Sequence, residues 1–140
     1  MNILFIGPVS EDAKEDISTI RAETTHEVKF SKNPADAIAG GEVSTFDIIV
    51  LELADLEFPE HMRTGEPEEL RRTFGNIRRY DAGIQTLFEI KKKNPDQKVI
   101  VAHCSPWGKT NAYCKELGAN EVLKKPYDMD DFLGIIERMQ

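Results

Sequence analysis

The stretch AYCKELGANEVLKKPYDMDDFLGII, residues 112–136, decides the fold. It opens on a helical pattern that stops at Gly118, a residue type that commonly ends helices. The short segment Glu121-Val122-Leu123 then predicts a strand. After the pair Lys125-Pro126, residues 128–139 have helical apolar spacing, with acidic residues in the first turn, where the helix dipole stabilises them. The stretch therefore predicts a helix, a short strand and an amphipathic helix in succession.

Upstream of this stretch, three continuous apolar runs predict strands that are buried on both faces, as in parallel sheets: Ile3–Ile6, Ile48–Leu51 and Val99–Ala102. An alternating stretch, His26–Phe30, predicts an outer strand. Helical patterns lie between the strands, at Glu11–Ala22, Ala35–Ile38, Ile84–Ile90 and Asn111–Leu117. Strands that alternate with helices predict an α/β fold, with a doubly wound five-stranded parallel sheet covered on both faces.

Length and composition predict a single domain over residues 1–140. The net charge of −7 disfavours nonspecific binding to nucleic acid, which requires clustered cations. There is no apolar run of the roughly 18 residues that a membrane span needs, and no basic segment of a secretory signal. We therefore expect a cytoplasmic protein that binds neither membrane nor nucleic acid. Cys104 and Cys114 form no disulfide framework and have no zinc-site spacing.

Three segments together resemble a known family. HEVKFSKNPADAIAGGEVSTFDIIVLEL (26–53), DAGIQTLFEIKKKNPDQKVIVAHCS (81–105) and the stretch quoted first are similar to response-regulator receiver domains. The most specific feature is the Lys-Pro pair, which follows Gly118-Ala119 and precedes an amphipathic helix. The resemblance covers nearly the whole chain except residues about 60–80. It implies the flavodoxin-like version of the α/β fold and a role in two-component or phosphorelay signalling.

The resemblance also implies a site at the carboxyl ends of the strands. Receivers hold Mg²⁺ with an acidic pair after the first strand and phosphorylate an aspartate that ends the third. A lysine before the proline neutralises the phosphoryl group, and here Lys125 and Pro126 match that pair. The acidic pair falls on Gly7 and Pro8, whose side chains offer no oxygen, whereas Mg²⁺ requires oxygen ligands in near-octahedral geometry. We therefore expect no metal, no cofactor and no catalytic residue.

The remaining family positions also depart from the usual residue types. The phosphoacceptor falls on Glu52, whose extra methylene moves the carboxylate away from the in-line geometry of phosphoryl transfer. Two interpretations of Glu52 stay open: a fixed pair with Lys125 that imitates the phosphorylated state, or a solvated strand-end carboxylate that is merely paired with a lysine. The hydroxyl sensor falls on His103, either a pH-responsive replacement or a hydrogen-bonded loop residue. The aromatic switch position falls on Val122.

An insertion at about 60–80 follows the third strand, and its acidic start after a proline predicts a helix. Its second half carries Arg71, Arg72, Arg78 and Arg79, whose forked donors suit carboxylate or phosphate groups. The insertion is interpreted either as a lid, docking element or anion-binding patch, or as a solvated helix whose charges pair with one another.

The sequence favours a stand-alone pseudo-receiver that is not an enzyme and that binds a signalling protein or a second copy of itself. The predicted interface is the face formed by the last two helices and the strand between them, at about 107–139. Its candidate anchors, of the side-chain types that often dominate binding, are Trp107, Tyr113 and Tyr127, with Val122 between them.

Two alternatives stay open. The first is a receiver that keeps phosphotransfer through Asp55 or through an unusual metal site, for which Glu11 and Asp12 are the nearest acidic residues after the first strand. The second is a flavodoxin-like binder of anions or nucleotides, which would use the arginines of the insertion. No glycine-rich phosphate loop accompanies those arginines, so the pseudo-receiver remains the favoured hypothesis.

Overall fold

The computed structural model describes residues 1–7, 11–31, 45–53, 82–103 and 110–140, without the side chains of 11–13, 82–85, 110 and 113. In chain order the elements are β1 (Asn2–Ile6), α1 (Glu11–Glu23), β2 (Glu27–Ser31), β3 (Ile48–Glu52), α2 (Ala82–Lys93), β4 (Lys98–His103), α3 (Thr110–Glu116), β5 (Glu121–Lys124) and α4 (Met129–Arg138). The helix predicted at 35–38 and the insertion at 60–80 lie outside the described residues.

All described strands form one parallel sheet in the order β2-β1-β3-β4-β5. The predicted doubly wound α/β sheet of five strands is confirmed. The alternating stretch at 26–30 does form an outer strand, displaced by one residue to Glu27–Ser31. β3 lies at the centre of the sheet, and each of its residues, including Glu52 at its carboxyl end, is buried.

Both faces of the sheet are packed, because alternate residues of each strand point to opposite sides. On one side, strand residues such as Phe5 and Val50 contact Ile17 and Ile20 of α1 and Phe132 of α4. On the other side, a second cluster joins the strands to α2 and α3. Its buried members are Leu4, Ile6, Ile49, Leu51, Leu53, Leu87, Ile90, Val99, Val101, Cys114 and Ala119. The continuous apolar runs of the sequence are the signature of this two-sided burial.

The end of α3 confirms the predicted stop at Gly118. Gly118 has φ +104°, a left-handed conformation that favours glycine. Its N–H donates to the carbonyl of Lys115 at 3.0 Å, and the N–H of Ala119 donates to the carbonyl of Cys114 at 3.1 Å. This is the Schellman arrangement, which satisfies the last carbonyls of the helix and turns the chain toward β5.

α4 begins and ends as its sequence predicts. Asp128 caps the helix, and its side chain accepts from the N–H of Asp130 at 2.8 Å. Asp130 and Asp131 occupy the first turn, and Arg138 occupies the last, so each charge lies at the end of the helix dipole that stabilises it. None of the described helices has the length and apolarity required to cross a membrane.

Candidate functional site

The carboxyl ends of the central strands meet at one edge of the sheet, where ligand sites of open α/β folds lie. Gly7 follows β1, while Glu52 ends β3 and His103 ends β4. Main-chain hydrogen bonds extend the sheet past these ends, from Leu53 N–H to the carbonyl of Ala102 at 2.9 Å and from Lys125 N–H to the carbonyl of His103 at 2.6 Å. The residues that the sequence places at the strand ends thus share one edge.

A buried ion pair occupies the centre of this edge. The Nζ of Lys125 lies 2.5 Å from Oε1 of Glu52. The Glu52 side chain is 4% exposed and that of Lys125 is 20% exposed. Burying a lone carboxylate is costly, and a close ammonium offsets that cost. Glu52 is a strand-end carboxylate paired with a lysine, as in the second interpretation, but it is not solvated, because β3 brings it into the sheet interior.

Gly7 makes a close main-chain contact with Glu52. A Cβ placed on Gly7 would lie 2.8 Å from the Cβ of Glu52 and 3.1 Å from its carbonyl oxygen. The N–H of Gly7 donates to the carbonyl of Ser31 at 3.1 Å, which holds the end of β1 beside β2 as well. Position 7 therefore accommodates only glycine without a shift of the main chain, because the neighbouring strand fills the space that a Cβ would occupy.

His103 links the end of β4 to the next helix. Its ring is buried, and Nε2 donates to Oδ1 of Asn111, in the first turn of α3, at 2.6 Å. His103 is the last residue of the strand, so its interpretation as a loop residue is wrong, although its hydrogen bond agrees with that interpretation. No local pattern in the sequence indicates Asn111 as the partner, because the two residues are 8 positions apart and belong to different elements.

Tyr127 anchors the loop that carries Lys125. Its hydroxyl donates to Oδ2 of Asp16 on α1 at 2.5 Å, and its ring stacks on Phe132 with 5.4 Å between the centroids. The Lys125–Pro126 peptide bond is cis. Glu15, Asp16, Lys125, Pro126 and Tyr127 line a small cleft between α1 and this loop. Both ends of the Tyr127 side chain thus make contacts within the domain.

Comparison with known proteins adds information on the fold. No protein-family model matches the chain, and no curated protein is detectably similar to it in sequence. The receiver domain of a Francisella response regulator superposes with a TM-score of 0.71 at 14% identity, over 99% of this chain and 94% of that one. The chain has the receiver fold.

Two further receivers are similar to this chain in structure. The BeF3-activated receiver domain of DrrB gives a TM-score of 0.68 at 17% identity, over 99% of this chain and 95% of that one. A CheY-like receiver domain protein from Methanospirillum hungatei gives 0.70 at 16% identity, over 98% and 90% of the two chains. The expected flavodoxin-like arrangement of the sheet is confirmed.

The divalent metal that the receiver fold implies does not fit the described residues at this edge. Gly7 supplies no side-chain oxygen, and the carboxylate of Glu52 is already in contact with the ammonium of Lys125. Among the described residues, no group of three or more His, Cys, Asp or Glu side chains is arranged to hold a metal ion. The Glu52 carboxylate instead suits the Lys125 ammonium, a cation of the chain itself, because one carboxylate and one ammonium neutralise each other.

Several predicted site residues lie beyond what the structure describes. These are Pro8, Asp55, Cys104, Trp107 and the four arginines Arg71, Arg72, Arg78 and Arg79. Glu11, Asp12 and Tyr113 lie within helices, but their side chains are among those left undescribed. Val122 is half-buried and packs on the cluster beneath α2 and α3, so it contributes part of its surface to the core.

Proposed function

We propose that this chain is a receiver-like signalling domain of the two-component or phosphorelay type, which works through protein–protein contacts without phosphorylation of its own. The observation that carries the proposal is the 2.5 Å contact between Glu52 and Lys125. In the receivers that the sequence resembles, the matching lysine neutralises a phosphoryl group on the aspartate. Here a carboxylate of the chain itself supplies a negative charge to that lysine.

The negative charge belongs to the folded chain itself and sits in a largely buried place. Glu52 ends the central strand with its side chain almost excluded from water, and Lys125 reaches it from the loop after β5. An ion pair in such a place is stronger than one at the surface, where solvent and salt screen it. The pair thus holds the ends of β3 and β5 together without any phosphodonor. This supports a domain that keeps one signalling state and does not switch between a phosphorylated and an unphosphorylated form.

The partner surface that we propose is the face formed by α3, β5 and α4. β5 is an edge strand, since it pairs only with β4 among the described strands. Charged side chains are exposed around it, among them Lys115, Glu116, Lys124 and Glu137. Charges of both signs favour a protein partner with complementary charges, because electrostatic complementarity steers association and selects partners. A signalling protein and a second copy of this chain are the two partner types.

Amide NMR tests independence from phosphorylation. Mg²⁺ and then beryllofluoride, an acyl-phosphate mimic, are titrated into the wild type, into Glu52→Asp and into the DrrB receiver domain, whose BeF3-activated form is known. We expect the wild type to show no saturable shifts at residues 3–7, 48–53, 98–103 and 121–125, while the DrrB domain responds. Saturable wild-type shifts in those segments would refute the proposal.

Charge reversal tests the partner surface. Lys115→Glu/Lys124→Glu changes the proposed face, and Lys14→Glu/Arg21→Glu changes α1 as a matched control with two reversed cations. Sedimentation velocity measures self-association, and titration calorimetry measures binding to a purified signalling partner found by cross-linking. We expect the first double variant to weaken association at least tenfold and the α1 variant to leave it unchanged. If the two double variants weakened association equally, the partner surface would not be the face formed by α3, β5 and α4.

A further inference from the structure

The ends of β1 and β3 approach each other more closely than two ordinary residues allow. The Cβ of any residue other than glycine at position 7 would lie 2.8 Å from Cβ of Glu52, 3.1 Å from its carbonyl oxygen and 3.4 Å from its Cα. None of these three atoms moves when the Glu52 side chain changes rotamer. A substitution at position 7 must therefore shift the main chain of a buried central strand, in an interior that is packed to crystal-like density.

We infer that Gly7 and Glu52 are a matched pair that makes this strand-end site selective for the Lys125 ammonium over a divalent metal ion. The inference deepens the proposed function and rests on it, since it explains why the site holds a charge pair without a phosphoryl group. Gly7 acts as a specificity-determining residue: it permits the strand contact that places Glu52, and it excludes a carboxylate from position 7.

Two physical reasons support this selectivity. Mg²⁺ and its analogues require several oxygen ligands, and position 7 cannot present one while the strands keep their separation. The ammonium already contacts the Glu52 carboxylate, so a divalent cation would have to displace it or lie beside a like charge. Repulsion between such charges is strong where little water screens them. The steric reason acts through Gly7 and the electrostatic reason through Lys125, so substitutions at these two positions test them separately.

The steric reason also predicts that aspartate at position 52 does not reopen the site. Glu52→Asp shortens the side chain and withdraws its carboxylate from Lys125, but it keeps the Cβ that excludes a side chain at position 7. The shortened variant loses the ion pair without gaining a metal ligand. Substitution of the phosphoacceptor position alone is therefore insufficient to recover metal binding.

Thermal unfolding of two glycine-to-alanine variants tests the steric part. Gly7→Ala adds only a Cβ, and we expect its Tm to fall by roughly 5 °C or more, since overpacking a core is destabilising. Gly134→Ala, within α4, is the matched control because a Cβ there meets nothing within 4 Å. Its Tm should stay unchanged or rise, since alanine favours helices more than glycine does. A Gly7→Ala protein with the Tm of the wild type would overturn the inference.

Paramagnetic broadening by Mn²⁺ tests selectivity. The wild type, Glu52→Asp and Lys125→Gln are titrated with Mn²⁺ while the amide peaks of residues 3–7, 48–53 and 98–103 are followed. We expect no saturable local broadening in any of them, because each keeps Gly7 and therefore gains no carboxylate at that position. Saturable broadening in Glu52→Asp or Lys125→Gln, with the wild type unresponsive, would overturn the role of Gly7 and leave the proposed function standing. A wild type that binds Mn²⁺ and beryllofluoride would refute both.

Discussion

Removal of the Lys125 ammonium should destabilise the domain more than removal of its partner. Lys125→Met keeps much of the aliphatic stem and leaves the Glu52 carboxylate, 4% exposed, without its cation. Breaking a buried ion pair in this way costs about 3–5 kcal/mol when both groups are fully buried. Lys125 is 20% exposed, so water already screens part of the attraction, and we expect about 2–3 kcal/mol at this site.

The corresponding change in Tm follows from the size of the chain. An unfolding entropy of about 2.1 cal/mol/K per residue gives roughly 0.3 kcal/mol/K for 140 residues. Lys125→Met should therefore lower the Tm by about 7–10 °C. Glu52→Gln should cost only about 1 kcal/mol, because the ammonium that it leaves behind can turn toward solvent. The double variant Glu52→Gln/Lys125→Met should lose about as much stability as Glu52→Gln alone, since neither protein contains the buried carboxylate.

Urea unfolding followed by circular dichroism measures the free energy of unfolding of all three variants. Urea is uncharged, so it does not screen the ion pair, whereas guanidinium chloride would. Lys124→Met is the control, because it removes a neighbouring exposed lysine from the end of β5 and should change stability by no more than about 0.5 kcal/mol. If Lys125→Met and Lys124→Met lose the same stability, the pair contributes nothing and the reasoning from burial is refuted.

Three further changes probe contacts around this edge and at the opposite end of the sheet. Asn111→Ala removes the acceptor of the buried His103 ring and should cost about 1–2 kcal/mol in urea unfolding. Tyr127→Phe keeps the ring but deletes the hydroxyl that donates to Asp16, and it should cost about 1–2 kcal/mol in the same assay. Burial, and then the nearby α-amino charge, lowers the pKa of His26 below its ordinary 6.5. The unfolded chain therefore binds more protons in the interval just below that value, so stability should fall as the pH drops through it, and His26→Gln should flatten urea midpoints measured across it.

Each of these changes has its own control. Glu116→Ala alters an exposed residue of the same helix as Asn111 and should leave stability unchanged; equal losses would mean that the effect is not specific to the hydrogen bond. For Tyr127→Phe the control is the double variant with Asp16→Asn, and additive losses would exclude a direct bond. For His26, a slope that survives the substitution would assign the pH dependence to other groups.

The fold could be predicted because its signals in the sequence are local. Continuous aliphatic runs specified strands buried on both faces, and Gly118 and Asp128 marked helix ends that the structure reproduces. The edge of the sheet that holds Glu52 and Lys125 followed from parallel topology, since parallel strands align their carboxyl ends. Element boundaries moved by a residue or so where a strand edge is solvated, as at β2.

The details of the site could not be predicted because they depend on distant pairs. Asp16 and Tyr127 are 111 positions apart, and no periodicity links them. The burial of Glu52 required the central location of β3, which the order of elements along the chain does not specify. The approach of Gly7 to Glu52 depends on the separation of two main chains, whereas a glycine after a strand is equally typical of an ordinary turn.

The close approach of the β1 and β3 ends also limits how mutations could introduce a phosphorylation site. An acidic residue at position 7 is destabilising for as long as the two main chains keep their present separation. Aspartate at position 52 gives up the ion pair with no compensating ligand. Each single change is thus destabilising by itself, and only a shift of the strand ends would make an acidic residue at position 7 tolerable. For the proposed pseudo-receiver, a working phosphorylation site therefore requires coordinated changes at both positions together with a movement of the main chain between them.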